Sequence, residues 1–269
     1  MKILITGGNG YIGKALIKNL REYHELVCPS RNSVDFTNAK QTNLFFNQCC
    51  GEGGSFDYVI HCAVQGGNRL KIDDESVLLN NLKMYYNLVD NRKFFGRFIS
   101  FGSGAEILYP ETPYGFSKKI IADSMSEKEG FYNIRIYGLF DENELPTRFI
   151  KANILRYINN QPMEIHSDKA MDFFYMEDLK SLVDHYLSHK DLPKTIACVY
   201  PYTYRLSRIA NVINQLDHHK VEVTTSQKNE PNYDVFGDDS CEFACDIIKC
   251  IGLEEGIKRT YKNLKHKNS

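Results

Sequence analysis

Tyr114 and Lys118 stand four residues apart in Pro113-Tyr114-Gly115-Phe116-Ser117-Lys118, a spacing that puts both on one face of a helix, aimed at a common ligand. A phenol beside an ammonium is a proton shuttle. The positive charge stabilises the tyrosinate and draws the phenol down from its ordinary pKa of about 10 toward working pH. Ser103, in Gly102-Ser103-Gly104, adds a hydroxyl directly after an apolar strand. Ser103, Tyr114 and Lys118 are the candidate catalytic residues.

The surrounding secondary structure is legible. Thr112-Pro113 opens the helix that carries Tyr114, with Thr as cap and Pro at the first helical position, and Arg97 to Phe101 reads as the strand before Ser103. At the start of the chain, Ile3-Leu4-Ile5 leads through Thr6-Gly7-Gly8-Asn9-Gly10-Tyr11-Ile12-Gly13 into an amphipathic stretch, Lys14 to Leu20. Glycines 8, 10 and 13 satisfy G-x-G-x-x-G: a tight turn, close approach to a pyrophosphate, and close packing of helix on strand. The helix N-terminus then directs its N–H groups at the anion. Gly7, Gly10, Tyr11, Ile12 and Gly13 are therefore candidate dinucleotide-binding residues.

A second strand, Glu25 to Cys28, ends in Pro29-Ser30-Arg31-Asn32. A carboxylate at that end would bind the adenine ribose, whereas Arg31 selects the 2′-phosphate of NADP(H) unless it is a solvated surface charge. Asp35, followed by Phe36, is placed to accept from the adenine amine or to cap a helix over Asn38 to Gln48. The third strand, Phe56 to Cys62, runs into Ala63-Val64-Gln65-Gly66-Gly67, where Cys62, Ala63 and Val64 join the cofactor set. A long helix follows from Asp74 to Val89. Strand and helix keep alternating, so the expected fold is α/β: a doubly wound parallel sheet of Rossmann type with a smaller C-terminal α/β lobe for substrate. The expected division is 1–137 plus 172–200 for the NADP-binding domain and 138–171 plus 201–269 for the lobe. Within the lobe, helices are expected over Arg148 to Ile158, Leu206 to Leu216 and Cys245 to Leu264, with Thr224 to Ser240 a polar connection.

The 269 residues are 42% hydrophobic and 25% charged with a net charge of −1, which excludes a disordered chain and offers no basic field for nucleic acid. Eight cysteines lack metal-type spacing. Cys241, Cys245 and Cys250 suit one buried helix face, and no metal site is expected. The chain opens on a strand, and no apolar run approaches the roughly 20 residues needed to span a bilayer. The expectation is a reduced, cytoplasmic protein without a membrane partner.

Taken in order, these residues resemble the extended short-chain dehydrogenase/reductase family, the epimerases, dehydratases and reductases of nucleotide sugars. Asn81 and Asn87 sit where the family carries asparagines. Met171 to Leu179 is similar to its R-D-F-x-x-V-x-D-L segment, and Leu253 to Tyr261 to its closing helix. Glu25 to Arg31 and Val64 to Gly67 look most like the branch containing GDP-L-fucose synthase, which reduces nucleotide-linked 4-keto sugars. The resemblance implies that Tyr114 protonates a carbonyl oxygen, Lys118 holds the nicotinamide ribose and tunes Tyr114, and Ser103 hydrogen-bonds the same oxygen. It adds Asn81 to the cofactor residues. Gly66, Arg148 and Arg156 become substrate residues, although the two arginines read equally well as helix-surface charges. A homodimer is implied, built from the helices holding Asp74 to Val89 and Tyr114, with a sugar nucleotide bound between the lobes.

The departures narrow the activity. Dehydratases of the family carry Thr-Asp-Glu where this chain has Ser103-Gly104-Ala105, so elimination lacks its acid and base. Ala105 and Arg148 stand near the positions of the synthase's epimerising Cys and His. Ten residues separate Ser103 from Tyr114, a short loop that implies an open pocket. Met171 replaces an arginine that meets the substrate diphosphate, leaving Arg156 as anchor. The expected activity is NADPH-dependent reduction of the 4-keto group of a nucleoside-diphosphate 4-keto(-6-deoxy) sugar, for surface polysaccharide synthesis. A 4-epimerase retaining NAD and a non-enzymatic NADP-sensing regulatory protein are the alternatives.

Overall fold

A computed structural model describes residues 1–51, 53–67, 71–226, 228, 230–235 and 242–267. Two units divide the chain, Met1–Arg135 with Tyr186–Ile196, and Ile136–His185 with Ala197–Ser269. The segment rejoining the first unit is thus 186–196, where the sequence suggested 172–200.

The first unit alternates β1 (Lys2–Thr6), α1 (Tyr11–Leu20), β2 (Glu25–Val27), α2 (Ala39–Cys50), β3 (Phe56–His61), α3 (Glu75–Val89), β4 (Phe95–Ser103), the single-turn α4 (Ala105–Leu108), α5 (Pro113–Ser126) and β5 (Phe131–Ile136). Ile3, Leu4, Ile5, Val59 and Ile60 are wholly buried, as strands covered on both faces must be. The central sheet is seven-stranded and parallel, in the order β13-β10-β5-β4-β3-β1-β2, where β10 is Thr195–Cys198 and β13 is Glu242–Phe243. Beside β1 the chain turns first to β2 and then to β3 on the other side. The carboxyl ends of β1 and β3 therefore flank the switch point at which ligands of open α/β sheets collect. The register sets Thr6 opposite His61, and His61 opposite Ser100.

One sheet face is an aromatic core. Phe46 stacks on Phe94 at 5.8 Å between centroids and Phe98 on Phe131 at 5.0 Å, with Phe36, Phe45, Phe56, Phe95 and Tyr85 around them. This packing explains why β4 is longer than the Arg97 to Phe101 of the sequence reading, since Phe95 is itself buried in that cluster. Asp74 caps α3 through the amide of Ser76 at 2.8 Å, and Thr112 caps α5 through that of Gly115 at 3.1 Å, so both helices start where their polar caps stop the preceding loop.

The second unit contains β6 (Leu139–Phe140), α6 (Phe149–Ile158), β7 (Met163–Ile165), β8 (Ala170–Met171), β9 (Phe174–Tyr175), most of α7 (Met176–Ser188), β11 (Tyr204–Arg205), α8 (Leu206–Ile213), β12 (Val223–Thr225), α9 (Ala244–Ile247) and α10 (Leu253–Lys267). Two sequence readings need correction. Thr224 lies in a strand, because β12 pairs in parallel with β7, rather than in a polar connection. The expected helix from Cys245 to Leu264 is broken at 248–252, where the Asp178 carboxylate accepts from the amides of Ile251 (2.7 Å) and Gly252 (3.2 Å) and Gly252 adopts φ 92°. Cys245 and Cys250 consequently do not share one helix face, and Cys241 lies outside the described residues. Among the described residues no helix is long and apolar enough to cross a membrane, and no three His, Cys, Asp or Glu side chains are grouped to hold a metal ion.

Candidate active site

The turn after β1 is shaped for close approach. Gly7 has φ 67°, and a Cβ there would lie 2.5 Å from the amide nitrogen of Ala63, in the turn that follows β3; a Cβ on Gly13 would lie 2.3 Å from the Gly7 carbonyl oxygen. The tight-turn role therefore falls on Gly7, one residue before the Gly8 that the G-x-G-x-x-G reading singled out. A Cβ on Gly8 would meet the tip of the Ile17 side chain at 2.7 Å. Gly10 caps α1 and makes no side-chain cap bond, so no capping side chain neutralises the positive end of the helix at Tyr11, Ile12 and Gly13. A cradle of backbone too tight for side chains, beneath an uncapped helix end at the switch point, fits a dinucleotide pyrophosphate.

Beneath the cradle, Thr6 Oγ1 meets His61 Nδ1 at 2.8 Å and accepts from the Ala63 amide at 3.3 Å. Burial, reinforced by the nearby Lys118 charge, holds the His61 pKa down to about 3, so the imidazole is neutral and structural. Burial pushes the Cys62 thiol up, which removes it as a nucleophile at ordinary pH. Val64 is exposed at the mouth of the same turn.

At the outer end, Arg31 follows β2 on an exposed turn in which Ser33 Oγ donates to the Ser30 carbonyl at 2.8 Å. Asn38, not Asp35, caps α2, accepting from Gln41 at 3.1 Å. Asp35 instead takes the hydroxyl (2.8 Å) and amide (2.9 Å) of Thr37 on Oδ1, which hold its carboxyl below the usual range. Asn87 fixes the carbonyl of Phe36 at 2.8 Å. Asn81 accepts from the Gln65 amide at 2.8 Å and donates to the Gln65 carbonyl at 3.0 Å and to Ser117 Oγ at 3.1 Å. It staples the loop after β3 to α3 and α5.

Ser103 ends β4, is 7% exposed, and accepts from the Ala105 amide on Oγ at 3.2 Å. Tyr114 and Lys118 share α5 as expected. The Lys118 ammonium is 5.8 Å from the centre of the Tyr114 ring and donates to the Phe101 carbonyl at 2.6 Å. Lys118 is 8% exposed, and burial lowers its pKa from 10.5 to about 8, with Glu106 pulling the other way. The Tyr114 ring packs on Gly67, where a Cβ would stand 2.8 Å from Cζ. Gly67 is held by its amide to Asp73 Oδ2 at 2.9 Å, and Gly66 precedes it at φ 80°.

Sequence reasoning missed a buried polar cluster below Ser103. Glu106, 1% exposed, takes the Arg135 Nε on Oε1, Asn133 Nδ2 at 3.1 Å on the same oxygen, and the Ser103 amide at 3.4 Å on Oε2. One charge of each sign inside the apolar stretches Ala105-Glu106-Ile107-Leu108 and Ile134-Arg135-Ile136 was the available signal.

Arg148 and Arg156 belong to the second unit. Arg148 precedes α6 as its cap residue, and Arg156 pairs with Glu164 at 2.7 Å, both partly exposed, a link weak enough to exchange for another anion. Met171 is 3% exposed and carries no charge for a diphosphate. The neighbouring acids of its segment are structural. Asp172 takes the Thr203 hydroxyl and the Val235 amide, both at 2.7 Å, and Asp178 takes the Tyr200 hydroxyl at 2.5 Å besides its two amides.

A parallel sheet with a glycine cradle at its switch point and a Ser/Tyr/Lys set at the same edge defines a Rossmann-like α/β protein built for dinucleotide chemistry. Residues 3–198 match the NAD dependent epimerase/dehydratase family, and the chain belongs to that family of NAD(P)-dependent nucleotide-sugar oxidoreductases and epimerases. It is 23% identical over 246 residues to the CDP-abequose synthase of Yersinia pseudotuberculosis, covering 83% of this chain and 87% of that one. Among solved structures it is similar to a GDP-mannoheptose C4 reductase from Campylobacter jejuni with NADP bound (TM-score 0.78, 19% identity, 99% and 98% coverage). It is also similar to a GDP-L-fucose synthetase from Naegleria fowleri (TM-score 0.77, 16% identity, 100% and 94% coverage). At these identities the structures speak for the fold.

Proposed function

We propose that this protein reduces the 4-keto group of a nucleoside-diphosphate 4-keto or 4-keto-6-deoxy sugar with NADPH, in synthesis of a surface polysaccharide. The observation that carries the proposal is the pairing of Tyr114 with a buried Lys118 ammonium on α5, beside the Ser103 that ends β4. Elimination is disfavoured on the same ground as in the sequence. Ser103-Gly104-Ala105 offers no acid or base, and the adjacent Glu106 is enclosed by Arg135 and Asn133.

Gly7, Gly10, Tyr11, Ile12 and Gly13 would hold the pyrophosphate, Arg31 the 2′-phosphate, Asp35 and Phe36 the adenine edge, and Cys62, Ala63, Val64 and Lys118 the inner half of the cofactor. When bound, NADPH supplies hydride to the keto carbon. Tyr114 gives its phenolic proton to the developing alkoxide, Lys118 stabilises the tyrosinate left behind, and Ser103 hydrogen-bonds the same oxygen. Asn81 acts through the loop it staples. Gly66, Arg148 and Arg156 are proposed for the sugar nucleotide, the arginines for its diphosphate.

The working form is proposed to be a homodimer. Leu79 and Tyr86, seven residues apart on one face of α3, are 53% and 40% exposed, and Phe116 on α5 is 44% exposed; α3 and α5 pack side by side, so a symmetry mate laid on this pair would cover all three.

The test is consumption of NADPH against NADH with a panel of nucleoside-diphosphate 4-keto-6-deoxy sugars, using cofactor deuterated at the transferred position. Deuterium at sugar C4 with NADPH preference is expected. Co-purified NAD with no net consumption would move the assignment to a 4-epimerase. Cofactor binding that stays unproductive with sugars of every class would leave a sensing protein.

A further inference from the structure

We propose that Glu106 is a positioning residue for the active site: its buried carboxylate, clamped by Arg135 and Asn133, holds the backbone of Ser103 in place and sets a negative charge behind the strand whose Phe101 carbonyl binds the Lys118 ammonium. The inference rests on the reading of Ser103, Tyr114 and Lys118 as the proton-handling set.

The geometry has three parts. Glu106 lies on α4, three residues after Ser103, and reaches back so that Oε2 accepts the Ser103 amide at 3.4 Å while Ser103 Oγ accepts the Ala105 amide at 3.2 Å. The turn that presents the Ser103 hydroxyl is thus fixed from both ends. Gly102 leaves room for the carboxylate, since a Cβ there would stand 2.5 Å from Asn133 Oδ1 and 2.9 Å from Glu106 Oε2. Finally, the carboxylate lies against Gly102, the residue next to the Phe101 whose carbonyl holds Lys118, and its charge opposes the lowering of the Lys118 pKa by burial. Lys118 is bound to the Phe101 carbonyl of the same strand, and the charged or titratable groups that bear on it are Glu106 from α4, Cys62 and His61 from the β3 end and Tyr114 on its own helix. Arg135 from β5 is spent on Glu106.

Burial pushes the Glu106 carboxyl up, and the Arg135 charge with the N–H donors that converge on the carboxylate pulls the other way. In the dehydratase pattern, acid and base act on substrate from the stretch that is Ser103-Gly104-Ala105 in this chain. One residue later the carboxylate is turned inward, where it sets the field and the backbone of the site from behind.

The test compares the wild type with Glu106→Gln/Arg135→Met, which removes both buried charges with nearly unchanged shape, and with Gly102→Ala, which keeps every charge but crowds the carboxylate. Lys118 is titrated in the protein alone by competitive labelling with an amine-reactive reagent and mass spectrometry, and NADPH affinity is followed by fluorescence from pH 6 to 10. The double variant is expected to lower the Lys118 titration midpoint by roughly one pH unit, to carry the alkaline limb of NADPH binding down with it, and to melt as a cooperative fold. Gly102→Ala is expected to move the same midpoint the same way by less, and decides the matter should the double variant not fold. An unmoved Lys118 midpoint in the folded variants, with a lowered melting temperature alone, would reduce Glu106 to a core ion pair and overturn the proposal. A shifted midpoint with NADPH binding indifferent to pH in the wild type would instead spare Glu106 and sink the assignment of Lys118 to the cofactor.

Discussion

Lys118 donates from α5 to the carbonyl of Phe101 at 2.6 Å, two residues before the Ser103 that ends β4. That single bond ties the helix bearing Tyr114 to the strand bearing Ser103. Its donor is a nearly buried ammonium, so the tie carries a charge as well as a geometry.

Replacing Lys118 should therefore separate stability from function. Its folded pKa of about 8 lies below its ordinary 10.5, so between these values the unfolded chain binds more protons. The cost of burying the charge is complete below pH 8, on the order of 3 kcal/mol, and is relieved as pH rises toward 10.5. Lys118→Met is expected to raise the melting temperature at pH 7 and flatten its rise above pH 8, while NADPH binding weakens. Thermal melts from pH 6 to 10 read both; a lower melting temperature at pH 7 would contradict the burial cost.

Tyr114→Phe keeps the ring against Gly67 and removes the proton. Turnover should fall by roughly 10²- to 10⁴-fold with NADPH affinity and melting temperature nearly unchanged. Retention of more than a tenth of the activity would remove Tyr114 from its role as acid.

Arg31→Ala addresses the choice of cofactor. Loss of a charge-assisted contact of about 1.5–3 kcal/mol should weaken NADPH by roughly 10- to 150-fold and leave NADH nearly untouched. Fluorescence titration with both cofactors decides, and an equal loss would return Arg31 to the solvated surface.

His61 should set part of the acid stability. Its pKa is held near 3 in the fold against an ordinary 6.5, so the unfolded state takes up the proton first as pH falls. Stability present above pH 6.5 is lost down to pH 3, by an amount on the order of 5 kcal/mol. His61→Gln, which cannot titrate, is expected to be less stable at pH 7 and to show a shallower decline in denaturant midpoint between pH 6.5 and 4. An equally steep decline would mean that other groups govern acid unfolding.

The dimer is tested by charge on its proposed face. Leu79→Glu/Tyr86→Glu should halve the mass measured by light scattering without lowering the melting temperature of the monomer unit by more than about 1 kcal/mol in equivalent stability. A wild type that is already monomeric at micromolar concentration would dispose of the proposal.

Much of the fold was readable because its signals are local. Apolar runs such as Ile3-Leu4-Ile5 suit buried strands, Thr112-Pro113 supplies a cap and a first helical residue, and four-residue spacing puts Tyr114 and Lys118 on one face of that helix. The glycine cradle was legible as a type but displaced by one position, because the need at Gly7 comes from Ala63, more than fifty residues away in sequence. The break at 248–252 was invisible for the same reason, its cause being Asp178.

From sequence alone came the alternation of strand and helix, the glycine turn after β1 and the shared helix face of Tyr114 and Lys118, since each depends on neighbours a few positions apart. Tertiary structure alone decided how those residues are tuned. Lys118 acquires its lowered pKa from burial, His61 its neutrality from enclosure beside Thr6, and Glu106 on α4 its partners from Asn133 and Arg135 on β5. Solvent exclusion and charge pairing act through space, and only the folded chain brings the partners within reach.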